Sequence, residues 1–306
     1  DTLTLATGSS VAKAANLSTD ASSTLILNGG SLTTDKDDSI LGVLKANSGN
    51  LSIYDTLALN HTDDLIAKDT NLTINSGADL KVNKATVNIN STDTWNGKVS
   101  LTDGTLNISD YTVPTGSDVT LTATNGNLSV DNSTLNLSSL SDIAKAATVS
   151  VDKDSTLNLD GANLYLNGSG SAIDSLNGKL NLNENGVLTL DSIALGNTST
   201  LTTDKGTLNI TGNVTLSPLN NIISDTTATT ISSGSKLDVQ NGDISIDGAI
   251  SSWVGDINIQ DGSLSIKGFN NTDKLNGKLT VSKGDVSLYD TLTLATGSSV
   301  AKAANL

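Results

Sequence analysis

Apolar-polar-apolar triplets recur along this chain at intervals of about 22 residues, a rhythm that few folds sustain over so long a sequence. Leu51/Ile53, Leu72/Ile74, Val99/Leu101, Val119/Leu121, Val149/Val151, Leu180/Leu182, Ile244/Ile246, Leu264/Ile266 and Val286/Leu288 form one series. Further triplets fall between them, such as Leu106/Ile108, Leu128/Val130, Leu157/Leu159, Leu164/Leu166, Leu188/Leu190 and Leu208/Ile210. Strict alternation over so few residues is the mark of a short strand with one buried face. The breaks are Asn-Gly, Asp-Gly, Ser-Gly and Lys-Gly, residue pairs that accept tight corners and positive φ. Three short strands in each unit of about 22 residues predict an all-β chain, a right-handed parallel β-helix (β-solenoid). Leu, Ile and Val then stack inward as ladders, with Thr, Asn, Ser and Asp facing out.

Longer repeats support the unit length. The box Val11-Ala-Lys-Ala-Ala-Asn-Leu17 returns as Ile66-Ala-Lys-Asp-Thr-Asn-Leu72 and Ile143-Ala-Lys-Ala-Ala-Thr-Val149, weakly from Ile223, and again from Val300. A second signature ending in glycine follows each of the first four boxes, at Gly42, Gly97, Gly178 and Gly255. From that glycine to the next box the chain runs only from Gly42 to Ile66 in the first module, but from Gly97 to Ile143 in the next. The first module therefore lacks about 22 residues, the length of one unit. Loss of a whole coil keeps every later side chain in register, whereas loss of part of one turns the ladder inside out. A disordered Ser/Thr/Asn tract does not hold alternation in register this long, and hairpins of an antiparallel sandwich array do not tolerate such a deletion. Helical spacing is almost absent; the alanine-rich boxes are the exception and are candidates for one helical turn.

Residues 1–17 recur letter for letter as residues 290–306. Residues 1–289 thus read as one long tandem repeat and 290–306 as the start of the next identical one, a window from a longer array. The expected partner is self: end-to-end continuation through a junction at Asp290, Leu292, Leu294 and Leu306, with lateral association of rods as a further contact. In that reading residues 290–306 repeat the coil position of residues 1–17, about 60 to 65 Å further along at roughly 4.8 Å per coil.

Composition narrows the chemistry. The chain has no cysteine, a single histidine, His61, and no arginine; its net charge is -15, and Glu184 is its one glutamate. Such a surface has no electrostatic footprint for nucleic acid or anionic lipid. No apolar run approaches the roughly 20 residues that span a bilayer, so membrane insertion of this segment is not expected. One histidine builds no zinc site or histidine relay. Aspartate pairs such as Asp63 with Asp64 and Asp152 with Asp154 are drawn as solvated turns rather than glycosidase dyads. The acidic run Asp35-Lys-Asp-Asp38 lacks the glycine and glutamate spacing of a calcium loop. No catalytic, cofactor-binding or metal residue is assigned. In Asp93-Thr-Trp-Asn-Gly-Lys98, Asp174-Ser-Leu-Asn-Gly-Lys179 and Asp273-Lys-Leu-Asn-Gly-Lys278 the expected roles are an Asn-Gly corner, an inward Trp or Leu, and a loose Asp–Lys pair. Asn16, Asn50, Asn71, Asn107, Asn127, Asn136 and Asn209 head Asn-x-Ser/Thr sequons and are the candidate glycosylation acceptors.

Gly-Lys-(Val/Leu)-x-Leu followed by Gly-Thr-Leu-Asn-Ile, as between Gly97 and Ile108 and again at Lys205 to Ile210, resembles the repeats of bacterial surface adhesins and autotransporter passengers. That resemblance implies a long β-helix at the extracellular surface of a bacterium, acting in adhesion or biofilm. The leading expectation is a non-enzymatic extracellular rod, the stalk or fibre of a surface adhesin or matrix filament. A lateral face that binds glycans or a receptor, its host or matrix ligand unknown, is the alternative from the binding class. A polysaccharide-degrading β-helix is the enzymatic one, and the missing arginine and scarce aromatics weigh against it.

Overall fold

The computed structural model describes all residues except 14, 115–118, 171–172, 269–276, 290–294, 301–303 and 306. Among them every strand pairing is parallel and no helix occurs; stacked strands make a β-solenoid of about 13 turns. The chain divides into two compact units, Asp1–Ser150 and Val151–Leu306.

In the first unit each turn has three arms. The ladder of the first arm runs Leu5, Leu27, Ala46, Ile66, Val87, Leu106, Leu128, each paired with the next in register. The second arm carries Val11, Leu32, Leu51 and Leu72, and beside the last of these Ile74 on Trp95. The third carries Leu57, Leu80, Val99 and Leu121, with Ala123 on Ile143. The chain between paired positions varies in length, shorter from Thr24 to Val43 and longer from Thr56 to Asp79. Strands Thr24–Thr34, Val43–Ile53, Asp79–Ile89 and Lys98–Ser109 bend where the register shifts, and each supplies two arms. Alternation forces this outcome: the polar residues between ladder positions have nowhere to go but outward, and each buried Leu or Ile contributes about 1.5–3 kcal/mol.

The second unit repeats the plan on its own three arms. One carries Leu164, Leu188 and Leu208, then Ile231 and Trp253. The next holds Val214, Leu237, Ile257 and Leu279, then Val281 under Val300. The last holds Leu157, Leu180 and Leu201, then Ile223, Ile244, Leu264 and Val286. Here too the return is uneven, short from Thr280 to Ser299 and long from Asn163 to Val187. The ladder leucines are buried, with Leu3 and Leu288 as exposed exceptions at 49% and 40%.

The short first module has the predicted physical meaning. Between Gly42 and Ile66 lies one turn, since Ala46 pairs directly with Ile66. Between Gly97 and Ile143 lie two, Lys98 pairing with Thr120 and Thr122 with Asp142.

Corners use glycine in two ways. Gly126 has φ of +94°, and a Cβ there would sit 2.7 Å from the Gly104 carbonyl oxygen of the turn beneath. Gly97, in Asn-Gly, does not adopt positive φ; it is needed because a Cβ would sit 2.5 Å from the carbonyl oxygens of Asn75 and Ala78. Among the described residues the alanine-rich boxes contain no helix. Those at Val11, Ile66 and Ile143 each hold a single tight turn, with Ala15 N–H donating to Ala12 O at 2.9 Å, Thr70 to Ala67 at 3.0 Å and Ala147 to Ala144 at 3.1 Å.

Candidate functional site

The buried carboxylates are the side chains with the most chemical potential in a chain built of aliphatic ladders, and the fold turns them inward at corners. Where the chain bends between arms, the N–H of the first inward leucine loses its strand partner, and a residue on the next turn replaces it. Asp38 accepts from Leu17 N–H at 2.7 Å, Asp64 from Leu44 at 2.7 Å and Asp93 from Leu72 at 2.7 Å. The second oxygen of each closes its own four-residue turn, accepting from Asp35 N–H at 2.7 Å, His61 at 2.8 Å and Asn90 at 2.8 Å. Elsewhere Ser141, Ser251 and Asn221 accept from the N–H of Leu121, Thr229 and Leu201 in the same way. Asp174 accepts from Asn167 N–H at 2.5 Å.

Asp93 also opens on an open groove of about 440 Å³ in the first unit, lined by Ser91, Asp93, Trp95, Asp110, Tyr111 and Pro114 among others. Trp95 and Tyr111 rings stand 6.3 Å apart, tilted by 39°. Tyr111 Oη accepts from Trp95 N–H at 3.0 Å, and Trp95 Nε1 donates to Gly97 O at 2.9 Å. Burial pushes the Asp93 carboxyl above its ordinary 3.8, against the two backbone N–H groups that pull it down. Burial likewise raises the Tyr111 phenol; the Trp95 N–H opposes this and the Asp93 charge adds to it. Asp110, at φ +52°, accepts from Asn132 Nδ2 at 2.7 Å. Both aromatics are buried, Trp95 at 2% and Tyr111 at 8% exposure, so neither offers a free face for stacking. Asp93 and the two rings are thus committed to holding the corner.

Comparison with protein families, curated proteins and solved structures finds no match.

The remaining sequence candidates disperse. Trp95 and Leu176 point inward as expected of the Asp-x-(Trp/Leu)-Asn-Gly-Lys corner, but Asp93 spends both oxygens on backbone N–H groups instead of pairing with Lys98. Residues 273–276 of the third copy lie outside the described residues. In the run Asp35 to Asp38, Asp38 is the cap described above and Asp37 pairs with Lys36 at 2.7 Å. Among the described residues no group of three His, Cys, Asp or Glu side chains is arranged to hold a metal ion. His61 Nε2 lies 3.0 Å from Leu41 O. Asp63 is exposed and its neighbour Asp64 buried. Asp154 pairs with Lys153 at 2.8 Å, and Asp152 accepts from Ser155 Oγ. Glu184 pairs with Lys205 on the surface. Among the sequons, Asn71 Nδ2 donates to Asn50 Oδ1 at 3.1 Å, Asn50 to Ser31 at 3.3 Å and Asn107 to Asn88 at 3.0 Å. Asn209 donates to Thr189 at 3.4 Å and Asn136 to Val113 O, while Asn16 and Asn127 are exposed. These amides lace adjacent turns together on the outer face. The junction residues Asp290, Leu292, Leu294 and Leu306 lie outside the described residues. No helix is long and apolar enough to cross a membrane among the described residues.

The caps escaped the reading of the sequence. Their signal is an Asp, Ser or Asn placed one coil length after a ladder leucine, as Asp38 after Leu17 and Asp64 after Leu44.

Proposed function

We propose that the chain is a non-enzymatic structural rod of the bacterial cell surface, the stalk or fibre of an adhesin or matrix filament, extended by tandem copies of itself. The observation that carries this reading is the use made of the inward-turned acids: half-buried Asp38 and buried Asp64 and Asp93 each serve the backbone of a neighbouring turn. The identity of residues 290–306 with residues 1–17 supports self-continuation, because a spacer needs length rather than a unique site. A chain of parallel coils grows by about 4.8 Å with each turn. Electron microscopy of recombinant proteins carrying one, two and four copies of residues 1–289 is the test. Contour length is expected to rise by about 60 to 65 Å per copy. Length that does not scale with copy number overturns the rod. Saturable binding to a glycan array, lost on substituting residues of one lateral face, favours the binding alternative.

A further inference from the structure

The three arms of a turn exchange roles from one module to the next. In the first unit the box at Val11 lies on the second arm, where Val11 pairs with Leu32. The box at Ile66 lies on the first arm, where Ile66 pairs with Ala46 and Val87. The box at Ile143 lies on the third, where Ile143 pairs with Ala123. From Val11 the chain passes Ser18–Thr19, both halves of Thr24–Thr34, Ser39–Ile40, both halves of Val43–Ile53 and Thr56–Leu59, and reaches Leu65–Ile66 as the eighth arm. Eight arms are two and two-thirds turns. The box has stepped back by one flank.

The second unit shows the same step within itself. Ile223 pairs with Ile244 on one ladder and Val300 with Val281 on another, the one that precedes it in chain order around the turn. The glycine signature moves with the box. Gly42 stands between the third arm and the first, and Gly97 between the second and the third. Each packs against a tight turn of the coil beneath it, Gly42 against Asp20–Ser23 and Gly97 against Asn75–Ala78. The local chemistry of a corner is therefore the same whichever flank it occupies. Nothing in box, signature or cap requires a particular arm, because every arm offers the same alternation and the same return onto the coil beneath.

We propose that each module sets its corner features one flank back from the module before, so that any module-specific surface is displayed on three flanks in rotation rather than as a stripe along one. A partner lying along one flank meets the same corner at every third module. The rotation stands within a single unit and does not depend on the tandem-rod reading.

The chain has no cysteine, so paired labels can be placed without background. Lys13, Lys68 and Ser76 are exposed. Lys13 and Lys68 occupy the same position in successive boxes, while Ser76 lies in the turn that follows the second arm, three turns above Lys13 on its own flank. Spin labels on the full chain carrying Lys13→Cys with Lys68→Cys, and separately Lys13→Cys with Ser76→Cys, read the geometry by dipolar spectroscopy. The axial rise is about 13 to 14 Å for both pairs at about 4.8 Å per turn, and an arm of about six residues adds roughly 20 Å across the section for the first pair alone. The expected result is about 24 Å for Lys13 with Lys68 against about 14 Å for Lys13 with Ser76. Equal distances for the two pairs, both about 14 Å, overturn the proposal. A second box pair, Lys68→Cys with Lys145→Cys, has an axial rise of about 18 Å and is expected at about 27 Å; a distance equal to the axial rise alone overturns the proposal as well. Failure of copies to form rods leaves these distances untouched and counts only against the tandem reading.

Discussion

Asp93 is the sharpest place to test how the corners are held. Replacing it with alanine strips the acceptor from two backbone donors, the buried Leu72 N–H at 2.7 Å and the Asn90 N–H at 2.8 Å. A buried donor left without a partner costs about 1–3 kcal/mol, and a second one that water can reach adds about 0.5–1 kcal/mol. Against this stands relief from burying a carboxylate, whose raised pKa shows that the site disfavours its charge. The expected net loss for Asp93→Ala is about 1–3 kcal/mol, less than the sum of the two broken bonds. The sign with pH follows from the same shift. Because the folded-state pKa lies above the ordinary 3.8, the folded state binds more proton across that interval, so stability falls as pH rises from about 3.8 through the raised pKa and is level beyond it. Asp93→Asn keeps one acceptor oxygen, as Asn221 does for Leu201, and removes that pH dependence. Urea unfolding from acid to mildly alkaline pH, joined to native-state hydrogen exchange at the Leu72 amide, measures both effects, since solenoid coils open locally. An Asp93→Ala protein whose stability stays within about 0.5 kcal/mol of the parent, with unchanged Leu72 exchange, would refute the capping role. A wild-type stability that rises relative to Asp93→Asn as pH increases would instead refute the dominance of burial over the two capping N–H groups at this carboxyl.

Three further outcomes test the ladder, the corner and the surface. Leu106→Ala, buried between Val87 and Leu128 in the first unit's first-arm ladder, should cost about 2–5 kcal/mol in urea unfolding, and a loss below about 1 kcal/mol would mean that the ladder is loosely packed. Gly126→Ala combines positive φ with contact on the Gly104 carbonyl and should destabilise by about 1 kcal/mol or more, whereas Gly8→Ala, also at positive φ but with open space around its Cβ, should cost less. Glu184→Gln breaks an exposed ion pair with Lys205 and should leave the unfolding midpoint unmoved at physiological salt; a measurable drop would show that the pair is structural.

What the sequence determined by itself is the coil. Alternation at Leu51/Ile53, Leu72/Ile74 and Val99/Leu101 dictates which side chains go inward, and the stretch missing before Ile66 marks a whole turn, because a ladder admits only integral losses. These are period and parity rules, and they act along the chain. The caps were not legible, since Asp38, Asp64 and Asp93 look like ordinary turn aspartates until the neighbouring coil brings the orphan N–H of Leu17, Leu44 or Leu72 against them. Nor does Asn-Gly at Asn96-Gly97 reveal that its glycine is required by two carbonyls of the preceding turn rather than by its own φ. Box spacing likewise counts residues, while position around the coil counts arms, and the chain takes unequal lengths to come back to an arm, as from Thr24 to Val43 and from Asn163 to Val187. Which flank a corner faces and which backbone a carboxylate serves are relations between turns, and only stacking the turns creates them.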